Sequence, residues 1–235
     1  MVKPGTLYGV GVGPGDPELM TVKAWRLIST SPVIAYLSAN GGKSMARDIA
    51  KPFIVEKTAE IAIDVPMRTE RTAAQAAYDK GCAGVAAHLD AGRDVVVLCE
   101  GDPFFYGSFM YIFSRLAKNY RAVVVPGVSS VTAAAAAIGH PLAARNEVLK
   151  ILPATLDADR LREELVTAES TAIIKVGRHF GKVRAVLSGL DLISKSVAVE
   201  MATRDDERIT PVEQIEGDAL SYFTTILVYC GKEKW

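Results

Sequence analysis

An excess of charge of either sign is what this sequence most plainly lacks, since 27 Lys and Arg balance 27 Asp and Glu. No net field draws such a chain to nucleic acid or to an anionic membrane surface, so neither partner is expected and any anionic ligand must be held by local charges. Cysteine is scarce: Cys82, Cys99 and Cys230 are odd in number and far apart, with no C-x-x-C and no histidine at ligand spacing. That excludes a disulfide framework and leaves no metal site to expect. Cys99 and Cys230 fall in β-like apolar runs, where a free cysteine behaves as a small buried hydrophobe. No apolar run approaches the ~18 residues needed to span a bilayer. The opening Met1-Val2-Lys3-Pro4 leads into apolar residues broken by glycines rather than into a signal-peptide core, so a reduced, cytoplasmic chain is expected. His88, His140 and His179 have no mutual spacing for metal or base chemistry. His140, beside a turn, reads as structural.

The composition, 49% hydrophobic and 23% charged over 235 residues, suits a globular chain of two domains. Short β-branched runs alternate with helical stretches, the pattern of α/β folding with a parallel sheet. Strands are expected at Thr6–Val12, Val33–Tyr36, Asp94–Cys99 and Ala122–Val125, with a weaker one at Phe53–Val55. Helices are expected at Thr21–Ser29, Thr72–Ala91, Phe109–Leu116 and Val131–Ile138. Gly139-His140-Pro141 stops the last of these, which places a domain boundary between residues 140 and 141. Beyond it, strands are expected at Val148–Leu152, Ala172–Lys175, Val197–Glu200 and Thr224–Tyr229, and helices at Ala158–Ala168 and Lys182–Ser188. A strand-like stretch between Glu207 and Glu216 implies an antiparallel addition, hence a mixed second sheet. The alanine-rich run Ala133–Ala137 reads as close helix packing.

Three loops carry the chemistry. The first, Gly9-Val10-Gly11-Val12-Gly13-Pro14-Gly15-Asp16-Pro17, follows the first strand, and its glycines admit close approach of a ligand while Asp16 caps the next turn. It is not the dinucleotide fingerprint: the last required glycine falls on Pro14 or Asp16, and Tyr36-Leu37-Ser38 stands where the acidic ribose partner belongs. The nearby Gly41-Gly42-Lys43-Ser44 imitates a phosphate loop, but Leu37 occupies its first glycine position, and it is set aside. The second loop, Cys99-Glu100-Gly101-Asp102-Pro103-Phe104-Phe105-Tyr106-Gly107-Ser108-Phe109-Met110-Tyr111, leaves a buried strand at its carboxyl end, where ligands of open α/β sheets bind. Glu100 and Asp102 are polar where the strand is apolar, and Phe105 and Tyr106 are suited to wall a flat ligand. The third, Pro126-Gly127-Val128-Ser129-Ser130, offers hydroxyls and amides at a helix start.

In this order and spacing the loops resemble the tetrapyrrole methyltransferase family over nearly the whole chain. The Phe-Phe-Tyr-Gly-Ser-Phe continuation after Gly101-Asp102-Pro103, with Lys175-Val176-Gly177-Arg178 later, is similar to the branch that methylates C-20 of precorrin-2 or cobalt-factor II. The resemblance implies two αβα domains with a cleft between them, a cytoplasmic homodimer, and S-adenosylmethionine as methyl donor. By position, it implies donor contacts at Pro14, Glu100, Gly101, Asp102, Phe105, Ser129, Ser130, Val176, Ala202 and Thr225. It implies tetrapyrrole contacts at Gly11, Gly13, Gly15, Asp16 and Tyr106. Proton removal after methyl transfer calls for a base, and Asp102 and Glu100 are the candidates. Arg68, Arg71, Lys175 and Arg178 are candidates for the substrate carboxylates. A relative acting on another ring carbon, an RNA-modifying relative and a non-catalytic tetrapyrrole carrier are the rival readings.

Overall fold

A computed structural model of the chain describes residues 2–39, 41, 43–66 and 72–232, together with the backbone alone at Arg71. It divides into two compact units, 1–129 and 130–235.

The first unit is a five-stranded sheet in the order β3-β2-β4-β1-β5, every pairing parallel. Its strands are β1 (Leu7–Gly11), β2 (Val33–Ser38), β3 (Ala59–Asp64), β4 (Val95–Cys99) and β5 (Ala122–Val125). Its helices are α1 (Val22–Thr30), α2 (Met45–Ala50), α3 (Arg71–Asp90) and α4 (Phe109–Leu116). Parallel strands need crossover connections, and these cover both faces, which is why β4 is apolar throughout rather than alternating. Val95, Val97 and Cys99 pack with α3 and α4 residues such as Val85, Leu89, Phe109 and Ile112. Val96 and Leu98 join Ala24, Ile28, Ala46 and Ile49 of α1 and α2 on the other face. Gly9 has a packing reason: a Cβ there would collide with the ring of the fully buried Phe109.

The strand expected at Phe53–Val55 is corrected. Lys51–Phe53 forms a 3-10 turn with Pro52 in its first positions, and the strand lies six residues further on, at Ala59–Asp64. Proline removes a ladder donor and disfavours a strand interior. As an edge strand paired only with β2, β3 buries little beyond Ile63. Helix α2 was not expected. Ser44, from the phosphate-loop imitation, is its N-cap, accepting from Arg47 N at 3.4 Å. Asn40 and Gly42 lie outside the described residues.

The second unit holds a sheet in the order β6-β7-β10-β8-β9. Its strands are β6 (Leu149–Pro153), β7 (Ser170–Ile174), β8 (Ser196–Glu200), β9 (Arg208–Pro211) and β10 (Thr224–Tyr229). Only β6 and β7 pair in parallel, so the sheet is mixed, and β9 is the antiparallel addition that the 207–216 stretch implied. One face is covered by α6 (Ala158–Val166) and α7 (Phe180–Gly189), through Leu161, Leu165, Phe180, Val183 and Leu187. The other receives α5 (Ser130–Ile138), whose Val131, Ala133, Ala134 and Ala135 are buried with Ala172, Ile174, Val199 and Leu227. Alanine lets this helix lie close to the sheet. That packing takes α5 into the second unit, one helix earlier than the break read at Gly139–Pro141.

No helix among the described residues is long and apolar enough to cross a membrane. Cys82 and Cys99 are buried free thiols, and burial pushes the Cys82 thiol up to about 11. Cys230 is only partly buried, against the α7 side of the second sheet.

Candidate functional site

In the first unit, β4, β1 and β5 are neighbours running the same way, so the loops leaving their carboxyl ends emerge side by side. They lock together through the main chain. Gly101 N donates to Gly13 O at 2.8 Å and Gly13 N to Gly101 O at 3.4 Å, an isolated antiparallel bridge between the first and second loops. A Cβ on Gly11 would lie 2.5 Å from Gly101 O and 2.7 Å from Gly127 Cα. A Cβ on Gly127 would strike the same Gly101 oxygen. Three backbones thus occupy the space one methyl group would need, and the glycines of all three loops are a single junction.

Asp102 ties the second loop to the third. Its Oδ1 accepts from Phe104 N at 2.8 Å and Phe105 N at 3.1 Å, and its Oδ2 accepts from Gly127 N at 3.1 Å. Both carboxylate oxygens are engaged by backbone. Glu100 is differently placed: the residue keeps some surface, but its carboxyl is desolvated, and burial raises its pKa. Its Oε1 accepts from Ala46 N at 3.2 Å, at the start of α2. Pro14 and Gly15 are buried, and Asp16 caps a short turn by accepting from Glu18 N at 2.8 Å. Phe105 and Tyr106 meet edge to face at 5.3 Å between ring centres, and both rings are exposed. Ser129 is half-buried after the junction.

In the second unit β10 runs against β7 and β8, so its first residues adjoin their last. Ser130, Val176, Ala202 and Thr225 are collected at this end of the sheet. Val176, Ala202 and Thr225 are buried, and Thr225 Oγ1 donates to Ser130 Oγ at 3.5 Å. Gly177 N donates to Ser221 O at 3.2 Å, and Met201 N to Phe223 O at 2.9 Å, which ties the loops after β7 and β8 to the approach of β10. Of six non-glycine residues with positive φ among those described, Lys175, Met201 and Thr203 lie in these loops and Tyr106 in the second loop of the first unit. Such backbone persists only where surrounding structure enforces it, and it concentrates at functional sites. Burial lowers the Lys175 pKa, while Arg178 is exposed on the turn that follows. Arg71 opens α3, and Arg68 lies outside the described residues. His140 meets Tyr229 edge to face at 4.6 Å between ring centres, and its Nδ1 is 2.7 Å from Pro141 O, a structural placement.

Sequence reasoning missed the α2 start that faces Glu100, and the strain at Lys175, Met201 and Thr203. The Ser44 cap signal was present for the first; φ leaves no mark on non-glycine residues.

The chain matches the family model of the Tetrapyrrole (Corrin/Porphyrin) Methylases over residues 6–216. It is 41% identical to the cobalamin biosynthesis protein CobIJ of Mycobacterium tuberculosis over 98% of this chain and 47% of that protein, so it spans about half the length of that relative. It is 35% identical to the precorrin-2 C(20)-methyltransferase of a Sinorhizobium species, over 98% of this chain and 97% of that one. Its fold is that of a uroporphyrin-III C-methyltransferase from Thermus thermophilus, solved with S-adenosylhomocysteine. The match has a TM-score of 0.66 at 22% identity and covers 96% of this chain and 92% of that one.

Proposed function

The chain belongs to the tetrapyrrole (corrin/porphyrin) methylase family, and from that premise we propose that it transfers a methyl group from S-adenosylmethionine to the C-20 meso carbon of precorrin-2, or of its cobalt-containing counterpart, in cobalamin synthesis. The observation that carries this reading is the end-to-end match at 35% identity to a protein named for the precorrin-2 reaction.

The loops fit the donor. S-adenosylmethionine presents a neutral adenosine, a ribose diol and a zwitterionic tail, which call for backbone and hydroxyl partners more than for a cluster of one charge. Such partners stand at the loop ends: the main chain at Pro14, Gly101 and Phe105, Ser129, the Ser130–Thr225 hydroxyl pair, and the Val176 and Ala202 loops. When bound, the donor supplies a methyl on a positively charged sulfur, already activated toward a nucleophilic carbon.

The chain then has to orient and shield. The glycine junction and the Asp102 clamp fix the loops, so contacts made there need no reordering when ligands arrive. Gly11, Gly13, Gly15, Asp16 and Tyr106 are assigned to the tetrapyrrole, and Lys175 and Arg178 to its carboxylates. Glu100 is the group suited to hold the proton released from the methylated carbon, because its carboxyl is buried and carries a raised pKa. Asp102 is a positioning residue. The resemblance also supports a cytoplasmic homodimer.

Incubation with 13C-methyl-labelled S-adenosylmethionine and each tetrapyrrole in turn tests the reading. One labelled methyl at C-20 is expected by NMR. A label on another ring carbon, or binding without turnover, overturns it.

A further inference from the structure

We propose that the second unit carries a small-molecule site of its own, a cavity of about 250 Å³ beyond the carboxyl end of α5 that takes a compact apolar molecule bearing one carboxylate. It lies apart from the contacts proposed for the methyl donor and does not depend on them.

The cavity follows from how α5 ends. Gly139, at φ 64°, turns the chain off the helix: Gly139 N donates to Ala136 O and His140 N to Ala135 O, each at 3.1 Å, the paired bonds of a Schellman motif. Past that stop, His140, Pro141 and Leu142 line the space in place of the helix. Strand register sets the floor, where Ser170 pairs with Tyr229 and Val197 with Leu227, and all four border the cavity. The wall is fixed to the floor. His140 meets the Tyr229 ring edge to face, and Tyr229 Oη donates to Glu147 Oε1 at 2.7 Å. Glu147 lies outside the lining, and its other oxygen accepts from Ala144 N at 2.9 Å.

Two polar groups give the cavity its chemistry. Ser170 is only 4% exposed, and its hydroxyl has no hydrogen-bond partner among the described residues. A buried hydroxyl left so is costly, and a polar atom of a ligand would complete it. Lys195, from the 3-10 turn Ile193–Lys195, supplies a cation, and no Asp or Glu joins it in the lining. Ile138, Leu142, Val197 and Leu227 make the rest largely apolar. Apolar walls with a few placed polar groups are the pattern of a small-molecule site, and the cation selects an anion. The space far exceeds the roughly 30 Å³ of one water, and a cavity of about 150 Å³ already admits benzene. The donor contacts stand at the other end of the same elements. Ser130 lies about 12 Å from Ile138 along α5, and Thr225 about 14 Å from Tyr229 along β10. Both ligands can therefore be held at once.

Calorimetry on the whole chain with 3-phenylpropionate, and with 3-phenylpropionamide as its uncharged counterpart, tests the proposal. The acid is expected to bind with a dissociation constant of about 1 mM or below, and the amide at least about tenfold more weakly. Lys195→Met keeps the apolar stem of an exposed side chain and removes its charge. It is expected to bring the acid to the level of the amide while leaving Tm in place. Ser170→Ala is expected to weaken both probes by about threefold or more. Saturating S-adenosylhomocysteine is expected to leave the affinity for the acid within about twofold. No binding of either probe up to about 10 mM overturns the proposal, and so does equal binding of the acid by the parent and Lys195→Met. Competitive displacement by S-adenosylhomocysteine also overturns it, by assigning the probe to the donor contacts. So does a parent that ignores the acid while Lys195→Met shifts the chain from dimer to monomer, which would assign this face to a second copy. Each of these outcomes leaves the methyltransferase reading intact.

Discussion

Glu100 has its charge disfavoured by its surroundings. Burial raises its pKa, and the backbone N–H groups of Ala46 and of Glu100 itself offset only part of that effect. A carboxyl whose folded pKa exceeds its unfolded value favours the folded state most when protonated. Its contribution declines as pH rises from the unfolded value of about 4.3 through the folded one. Glu100→Gln keeps an oxygen for Ala46 N and removes the titration. Its stability relative to the parent, from urea unfolding at several pH values, is expected to rise as pH climbs above the unfolded value and to level off once the folded carboxyl has ionised; a flat difference would mean that the carboxyl is solvated. If Glu100 holds the released proton, the same variant is expected to lose at least about 100-fold in kcat while still binding S-adenosylhomocysteine. Asp102 and Glu100 were equal candidates in the sequence because each is an acid beside a glycine after an apolar strand. Their different surroundings depend on Gly127 and Ala46, 25 and 54 residues away, and no local pattern reports those partners.

At the scale of elements, the site follows from strand order. Because β4, β1 and β5 are parallel neighbours, three loops widely separated along the chain emerge together, and glycine is the residue that lets their backbones meet. Gly11→Ala or Gly127→Ala is expected to destabilise by about 1–3 kcal/mol through overpacking. Either should also weaken binding of S-adenosylhomocysteine by more than the lost stability alone explains, as read by calorimetry well below the melting point. Asp102→Ala removes the carboxylate acceptor of Phe104 N and Gly127 N, while Phe105 N keeps the Asp102 carbonyl at 3.4 Å, and is expected to cost about 1–3 kcal/mol. A shift of the acid limb of the kcat profile in Asp102→Asn would instead make it a base. Most elements were legible: β5, β10 and α4 have their expected bounds, because apolar periodicity and turn residues mark them. Strand β3 was not, since an edge strand buries little and Ala59–Asp64 lacks the β-branched density of β4. Helix α2 is six residues long, too short for a periodic signal to stand out.

Over the whole molecule, balanced charge and ligand linkage make two predictions. With 27 charges of each sign, binding to RNA at about 150 mM salt is expected to be too weak for retention in a filter assay. S-adenosylhomocysteine at about 100 times its dissociation constant is expected to add about 2.7 kcal/mol and to raise Tm by roughly 5–10 °C; no shift would remove the donor from the reading. The division into units shows where local reading stops. Gly139-His140-Pro141 does end a helix, but α5 belongs to the unit whose sheet it packs on, through Val131, Ala133, Ala134 and Ala135. By itself the sequence determined the α/β class, a parallel sheet followed by a mixed one, and the loops that make up the candidate site, because β-branched runs, glycines and caps act within a few residues of where they are written. Tertiary structure alone decided which glycines make one junction, which carboxylate is clamped and which desolvated, where strain is held, and on which sheet α5 rests. Those outcomes depend on contacts between residues far apart along the chain, and only folding brings such residues within reach of one another.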